Sequence, residues 1–288
     1  MILDGGLSNV LVARGHDLTG DLWTASLLRD APEEIAAVHR AYFDAGAEVA
    51  TTASYQASVP GFVRAGLSRE EAERIVRQSV SLAREVRDEL ADDGRRRLVA
   101  ASVGPYGAVL ADGSEYRGRY GVTAAALRDF HLPRIELLLS AGPDLLAVET
   151  VPDADEAEVL VAILDEVDVP AWVSYSVDAG STRAGQPLPD AFAVAASSRS
   201  VVAVGVNCCA PDDVQPALDV ARRVTGLPGV AYPNSGQGWD SGTHTWQGDT
   251  SYDVALAPGW VAAGAAYVGG CCQVGPADIA ELAAVLGR

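Results

Sequence analysis

The chain has 288 residues, 49% of them hydrophobic, which is enough to bury one large core, and a formal net charge of −18 with arginine as its only strongly basic residue. Such an acidic surface excludes the basic footprint that nucleic acid or an anionic membrane surface requires. No run of about 18 apolar residues is present to span a bilayer, and the opening MILDGGLSN lacks the basic and apolar regions of a secretory signal, so a cytoplasmic protein is expected.

Short apolar segments recur along the chain: Ile2 and Leu3, Glu48 to Thr52, Leu98 to Val103, Leu145 to Val148, Ala171 to Val177, Val201 to Val206, Gly229 to Tyr232 and Ala266 to Val268. Runs this short and this continuous suit parallel strands buried on both faces. Helical patterns separate them. Pro32 stands where a first turn tolerates it, Glu33 and Glu34 complement the helix dipole, and Gly46 ends that helix. Ser68 and Glu71 form a capping box for a helix running towards Leu90, and Asp153 and Glu156 repeat the pattern. Thr123 starts a helix reaching Ala141, kinked at Pro133; Pro211 and Pro276 open two more. Eight strand–helix units predict a single (β/α)8 barrel, a TIM barrel, over residues 1–288, with a doubly wound open sheet as the alternative.

Two connections are long for such a fold, GPYGAVLADGSEYRGRYG after the third strand and SGQGWDSGTHTWQGDTSY after the seventh. Both follow strands, which puts them on the catalytic face of a barrel, where long loops act as lids or binding loops. The strand ends on that face carry Asp4, Thr51, Thr52, Tyr55, Glu149, Asn207, Cys208, Asn234, Cys271 and Cys272.

Four cysteines occur in two adjacent pairs, Cys208–Cys209 and Cys271–Cys272. Disulfide frameworks belong to small secreted chains, so clustered cysteines here point to a metal or a redox pair. Three cysteines without a fourth protein ligand fit a catalytic zinc with an open position, because closed structural sites use four protein ligands and soft thiolates favour zinc over magnesium or calcium. Neighbouring side chains on a strand point apart; Gly269 and Gly270 are expected to relax the backbone so that both sulfurs turn one way. His39 and His131 read as structural, and His244 in the seventh loop is a candidate fourth ligand. No glycine-rich nucleotide motif is present.

The stretches LDGG, DLWTASLL, VHRAYFDAGAEVATTASYQAS, SVGPYGAVLADGSEYRGRY, LLAVETVP, YPNSG and above all VGVNC with a late GGCC resemble the homocysteine S-methyltransferase family over nearly the whole chain. The resemblance implies a (β/α)8 barrel with one Zn2+ on Cys208, Cys271 and Cys272. It further implies that Asp4 and Glu149 hold the homocysteine amino group, and that Trp23, Thr51 and Tyr55 contact substrate; Asn234 of YPNSG is added to the substrate-facing set. The small-molecule partners that the resemblance implies are L-homocysteine and a sulfonium methyl donor, S-methylmethionine or S-adenosylmethionine, with a monomer as the expected assembly. Tyr106 and Trp239 are further candidate walls for a cationic donor. Competing readings are a barrel hydrolase using Asp4 and Glu149, a non-catalytic zinc- or thiol-binding barrel, and a dithiol switch at Cys271–Cys272.

Overall fold

Seven strands pair in parallel in the order Val49–Thr51, Leu98–Val103, Leu145–Val151, Ala171–Tyr175, Val201–Asn207, Gly229–Tyr232 and Ala265–Val268 in the computed structural model, which describes residues 1–18, 22–240 and 245–288. Residues 2–3 close the curled sheet into a barrel. Ile2 bridges in parallel to Val268 and Leu3 to Val49, with Leu3 N–H donating to Val268 O at 2.8 Å and Asp4 N–H to Val49 O at 3.1 Å. Closure removes both sheet edges and rules out the open-sheet alternative.

A helix follows each strand and packs outside the barrel: Pro32–Asp44, Arg69–Glu89, Ala124–Leu139, Ala154–Val167, Leu188–Ala195, Pro211–Thr225, Ala257–Ala262 and Pro276–Val285. The local signals explain several starts. Ser68 and Glu71 form the reciprocal capping box, Thr123 Oγ1 accepts from Ala126 N–H, and prolines occupy the first turns after Ala31, Ala210 and Gly275. Pro133 lies inside the helix Ala124–Leu139 without ending it. The second expected capping box is not formed. Asp153 caps Ala154–Val167, but Glu156 is buried and turns to His131 Nε2 at 2.8 Å, Tyr106 N at 2.6 Å and Tyr120 Oη at 3.0 Å. Tertiary partners win over a local cap that is worth about 1 kcal/mol.

Strand side chains alternate between two cores. One lies between sheet and helices. The other fills the barrel with Leu3, Val49, Ala100, Leu145, Ala147, Trp172, Ala203, Val230 and Tyr232. Trp172 and Tyr232 carry polarity into this interior. Trp172 Nε1–H donates to Tyr232 Oη at 3.0 Å, and Tyr232 O–H donates to Glu149 Oε2 at 3.0 Å, so the barrel core is wired to its C-terminal rim. Among the described residues no helix is long and apolar enough to cross a membrane.

Candidate active site

The C-terminal rim encloses a cavity of about 110 Å³ lined, among others, by Asp4, Trp23, Thr51, Tyr55, Glu149, Cys208, Cys271 and Cys272. These residues come from both ends and the middle of the chain, and barrel closure is what makes them neighbours. Asn234 is not in the lining. Its Oδ1 accepts from Cys272 N–H at 3.0 Å, which fixes the turn carrying the last cysteines. Tyr106 is also outside the cavity, its ring packed edge-to-face with Phe130 and tilted against Tyr120. His244 and the side chain of Trp239 lie outside the described residues.

The sulfurs of Cys208, Cys271 and Cys272 all lie within 4.8 Å of one another, with Cys208–Cys272 at 3.9 Å and Cys271–Cys272 at 4.0 Å. A tetrahedral ion with Zn–S bonds near 2.3 Å spaces its sulfurs about 3.8 Å apart, so this trio fits zinc with little movement. The thiols of Cys271 and Cys272, aided by Tyr116, hold Cys208 well below the usual thiol range, while those two are pushed up in turn. Cys209 faces the helix-side core and takes no part.

The backbone bends sharply where the trio is built. Cys208 has φ 49° and Thr150, at the end of the facing strand, has φ 58°, both in the left-handed region that costs a non-glycine residue of order 1–3 kcal/mol. Asn207 ties the two bends together: its Oδ1 accepts from Thr150 N–H at 2.7 Å and its Nδ2 donates to Thr150 Oγ1 at 2.8 Å. The role expected of Gly269 and Gly270 needs correction. Neither takes a positive φ; what each requires is closeness. A Cβ on Gly270 would stand 2.1 Å from Val274 Cγ1, and one on Gly269 2.6 Å from Leu3 Cβ, so the glycines let the last strand press on residues 3–4 and on Val274.

Two buried carboxyls face the cavity with unlike supports. Asp4 accepts from Thr51 N–H at 2.7 Å and Thr51 O–H at 2.9 Å; burial pushes its pKa up to about 8. Glu149 accepts from Ser102 Oγ–H and Tyr232 O–H; burial pushes it up to about 7. No arginine or lysine neutralises either carboxyl by an ion pair among the described residues, so each is suited to receive a cation from outside. Ser102, Tyr116, Thr150 and Tyr232 escaped the sequence reading. Tyr232 had a signal, being the last residue of a continuous apolar strand run, whereas Tyr116 lay in a loop without periodicity. That loop is partly ordered into Tyr106–Leu110 and a 3-10 turn, Ser114–Tyr116, which brings Tyr116 Oη to 3.4 Å from Cys208 Sγ.

The homocysteine S-methyltransferase family profile matches residues 1–286. Homocysteine S-methyltransferase of Escherichia coli is 45% identical over 292 residues, covering 99% of this chain and 94% of that protein. Homocysteine S-methyltransferase 1 of Zea mays is 42% identical over 303 residues, covering 99% and 94%. The crystal structure of the Escherichia coli homocysteine methyltransferase MmuM in its metallated form matches with a TM-score of 0.89 at 43% identity, covering 99% of this chain and 96% of that one.

Proposed function

The chain belongs to the homocysteine S-methyltransferase family, and on that premise we propose that it moves a methyl group from a sulfonium donor, S-methylmethionine foremost, to the thiol of L-homocysteine, with Zn2+ held by Cys208, Cys271 and Cys272. The observation that carries this is three sulfurs within 4.8 Å of one another in the wall of a cavity that also presents two unpaired buried carboxyls. Sulfur ligands and an open side suit zinc, which when bound lowers the pKa of a substrate thiol and so supplies a thiolate near neutral pH.

The remaining work falls to the chain's own side chains. Asp4 and Glu149 hold the acceptor's ammonium. They are built as receptors, Asp4 fixed by Thr51 and Glu149 by Ser102 and Tyr232, so little order is lost when the ligand arrives. Tyr55 and Trp23 shape the walls and keep the acceptor's sulfur aimed at the donor's methyl carbon. Alignment and exclusion of water then carry the reaction, since in-line attack on a sulfonium methyl needs no general acid.

The test is a methionine-formation assay with S-methylmethionine, S-adenosylmethionine and betaine in turn, before and after chelation. Methionine formed with a sulfonium and lost on chelation supports the reading. Turnover indifferent to chelation argues for metal-free chemistry, and metal binding without turnover for a non-catalytic barrel.

A further inference from the structure

The loop after strand Leu98–Val103 carries a third acidic group towards the sulfurs. It is anchored beneath by the helix Ala154–Val167 and its cap. Tyr106 N–H and Tyr120 O–H donate to Glu156, at 2.6 and 3.0 Å, and Arg119 N–H donates to Asp153 Oδ2 at 2.9 Å. Between these anchors the turn Ser114–Tyr116 reaches the cavity. Tyr116 lies in its lining, with the hydroxyl near Cys208 and the residue 42% exposed, so its ring stands at the mouth.

Glu115, beside it, has a buried Oε2 with no hydrogen-bond partner. Burial pushes its pKa up against the hydrogen bond from its own backbone N–H, the neighbouring charges of Cys208 and Asp112 add to the rise, and no arginine forms an ion pair with it among the described residues. Its charge is also felt by Tyr55, whose hydroxyl is buried without a hydrogen bond of normal geometry. Buried polar atoms are nearly always paired, and an orphaned carboxylate oxygen is costly. With Asp4 and Glu149 assigned to the acceptor, this third carboxyl, next in the chain to Tyr116 of the cavity wall and close enough for its charge to act on Cys208 and Tyr55, is left for another cation.

Resting on the methyl-transfer reading, we propose that Glu115 and Tyr116 form the donor subsite, the Glu115 carboxylate countering the sulfonium charge and the Tyr116 ring covering it. In the reaction the acceptor thiol gives its proton to solvent water, and its sulfur lone pair forms the new S–CH3 bond. The donor's S–CH3 bond breaks with its electron pair staying on the donor sulfur, which leaves as a neutral thioether. The positive charge that Glu115 holds therefore fades in the transition state. An interaction that is strongest in the ground state and fades in the transition state raises KM when it is removed and leaves kcat unchanged or higher.

Glu115→Gln keeps the shape and removes the charge. With S-methylmethionine as probe, its donor KM should rise about tenfold or more, with homocysteine KM and metal content near wild type and kcat no lower than wild type. Tyr116→Phe should keep donor KM within about twofold and Tyr116→Ala raise it several-fold, as a ring contact with a cation requires. If wild-type protein turns over and Glu115→Gln keeps its donor KM, or if donor and homocysteine KM rise together, the subsite is overturned and the methyl-transfer reading stands. If wild-type protein makes no methionine from any sulfonium, both are overturned.

Discussion

The Arg134 guanidinium donates to the carbonyl oxygen of Tyr55 at 2.7 Å, from a helix outside the barrel to a residue lining the cavity. The same group donates to Ser54 O at 2.6 Å, Gly104 O at 2.9 Å and Ala57 O at 3.0 Å, so one side chain clamps the loops leaving two adjacent strands. No carboxylate pairs with it among these bonds, and burial lowers its pKa to about 10, still charged at neutral pH.

Arg134 is therefore a positioning residue. Arg134→Met leaves four carbonyls without their donor and should cost about 3–5 kcal/mol of stability. Displacement of Tyr55 should lower kcat/KM by about tenfold to a hundredfold. Arg134→Lys, with three donors and no planar fork, should fall between. Urea unfolding and steady-state kinetics on both variants check this; a Met variant with wild-type kinetics would remove Arg134 from any role in the site.

Under the proposed function, Asp4 and Glu149 should set a pH dependence for amino-acid binding. Their pKa values near 8 and 7 mean that both take up protons as pH falls from 8 to 6, and only the ionised forms attract an ammonium. L-Methionine has no thiol to titrate, so its binding reports these carboxyls alone. Its Kd should weaken about tenfold from pH 8 to 6, and Asp4→Asn should bind less tightly with a flatter profile. A carboxyl whose folded pKa exceeds its unfolded value loses stability as pH rises, so Asp4→Asn should also unfold at higher urea than wild type at pH 8. Calorimetric titration and urea melts read both effects; a pH-independent Kd in wild type would contradict the assignment.

His39 sets the opposite dependence for stability. It is fully buried, neither ring nitrogen has a hydrogen-bond partner, and burial lowers its pKa to about 4. The unfolded chain takes up the proton first, near pH 6.5, so stability is complete above that pH and is lost as pH falls towards 4. At about 1.4 kcal/mol per unit, the loss approaches 3 kcal/mol. The difference in urea midpoint between wild type and His39→Leu should shift in favour of the variant between pH 7 and 5. A constant difference would mean that the imidazole acquires a partner when charged.

Much of the barrel was legible because its signals are local. Leu98–Val103 and Gly229–Tyr232 coincide with their apolar runs, and the Ser68 box forms as its spacing indicates. The thiol trio was legible because strand ends of a closed barrel must meet. What stayed hidden depends on tertiary partners. Nothing near Glu156 in the chain reveals that it serves Tyr106, Tyr120 and His131 in place of a helix end, or that Arg134 reaches the loop of Tyr55. The glycines before Cys271 were read as sources of flexibility because the approach of Val274 and Leu3 cannot be seen in one dimension.

The sterics at that point give a separate expectation. Gly270→Ala places a methyl carbon on Val274 and must push the turn that carries Cys271 and Cys272. Metal content should drop below that of wild type while the far-UV circular dichroism of the barrel persists. Full metal content in Gly270→Ala would show that this turn has more room than the packing indicates.

The most direct measurement is zinc stoichiometry on reduced protein by elemental analysis, for wild type and for Cys208→Ala, Cys271→Ala, Cys272→Ala and Cys209→Ala. One zinc per chain in wild type and Cys209→Ala, with loss in the other three, is the predicted result. A wild-type protein without metal, or one that keeps its zinc after any of the three sulfurs is removed, would contradict it.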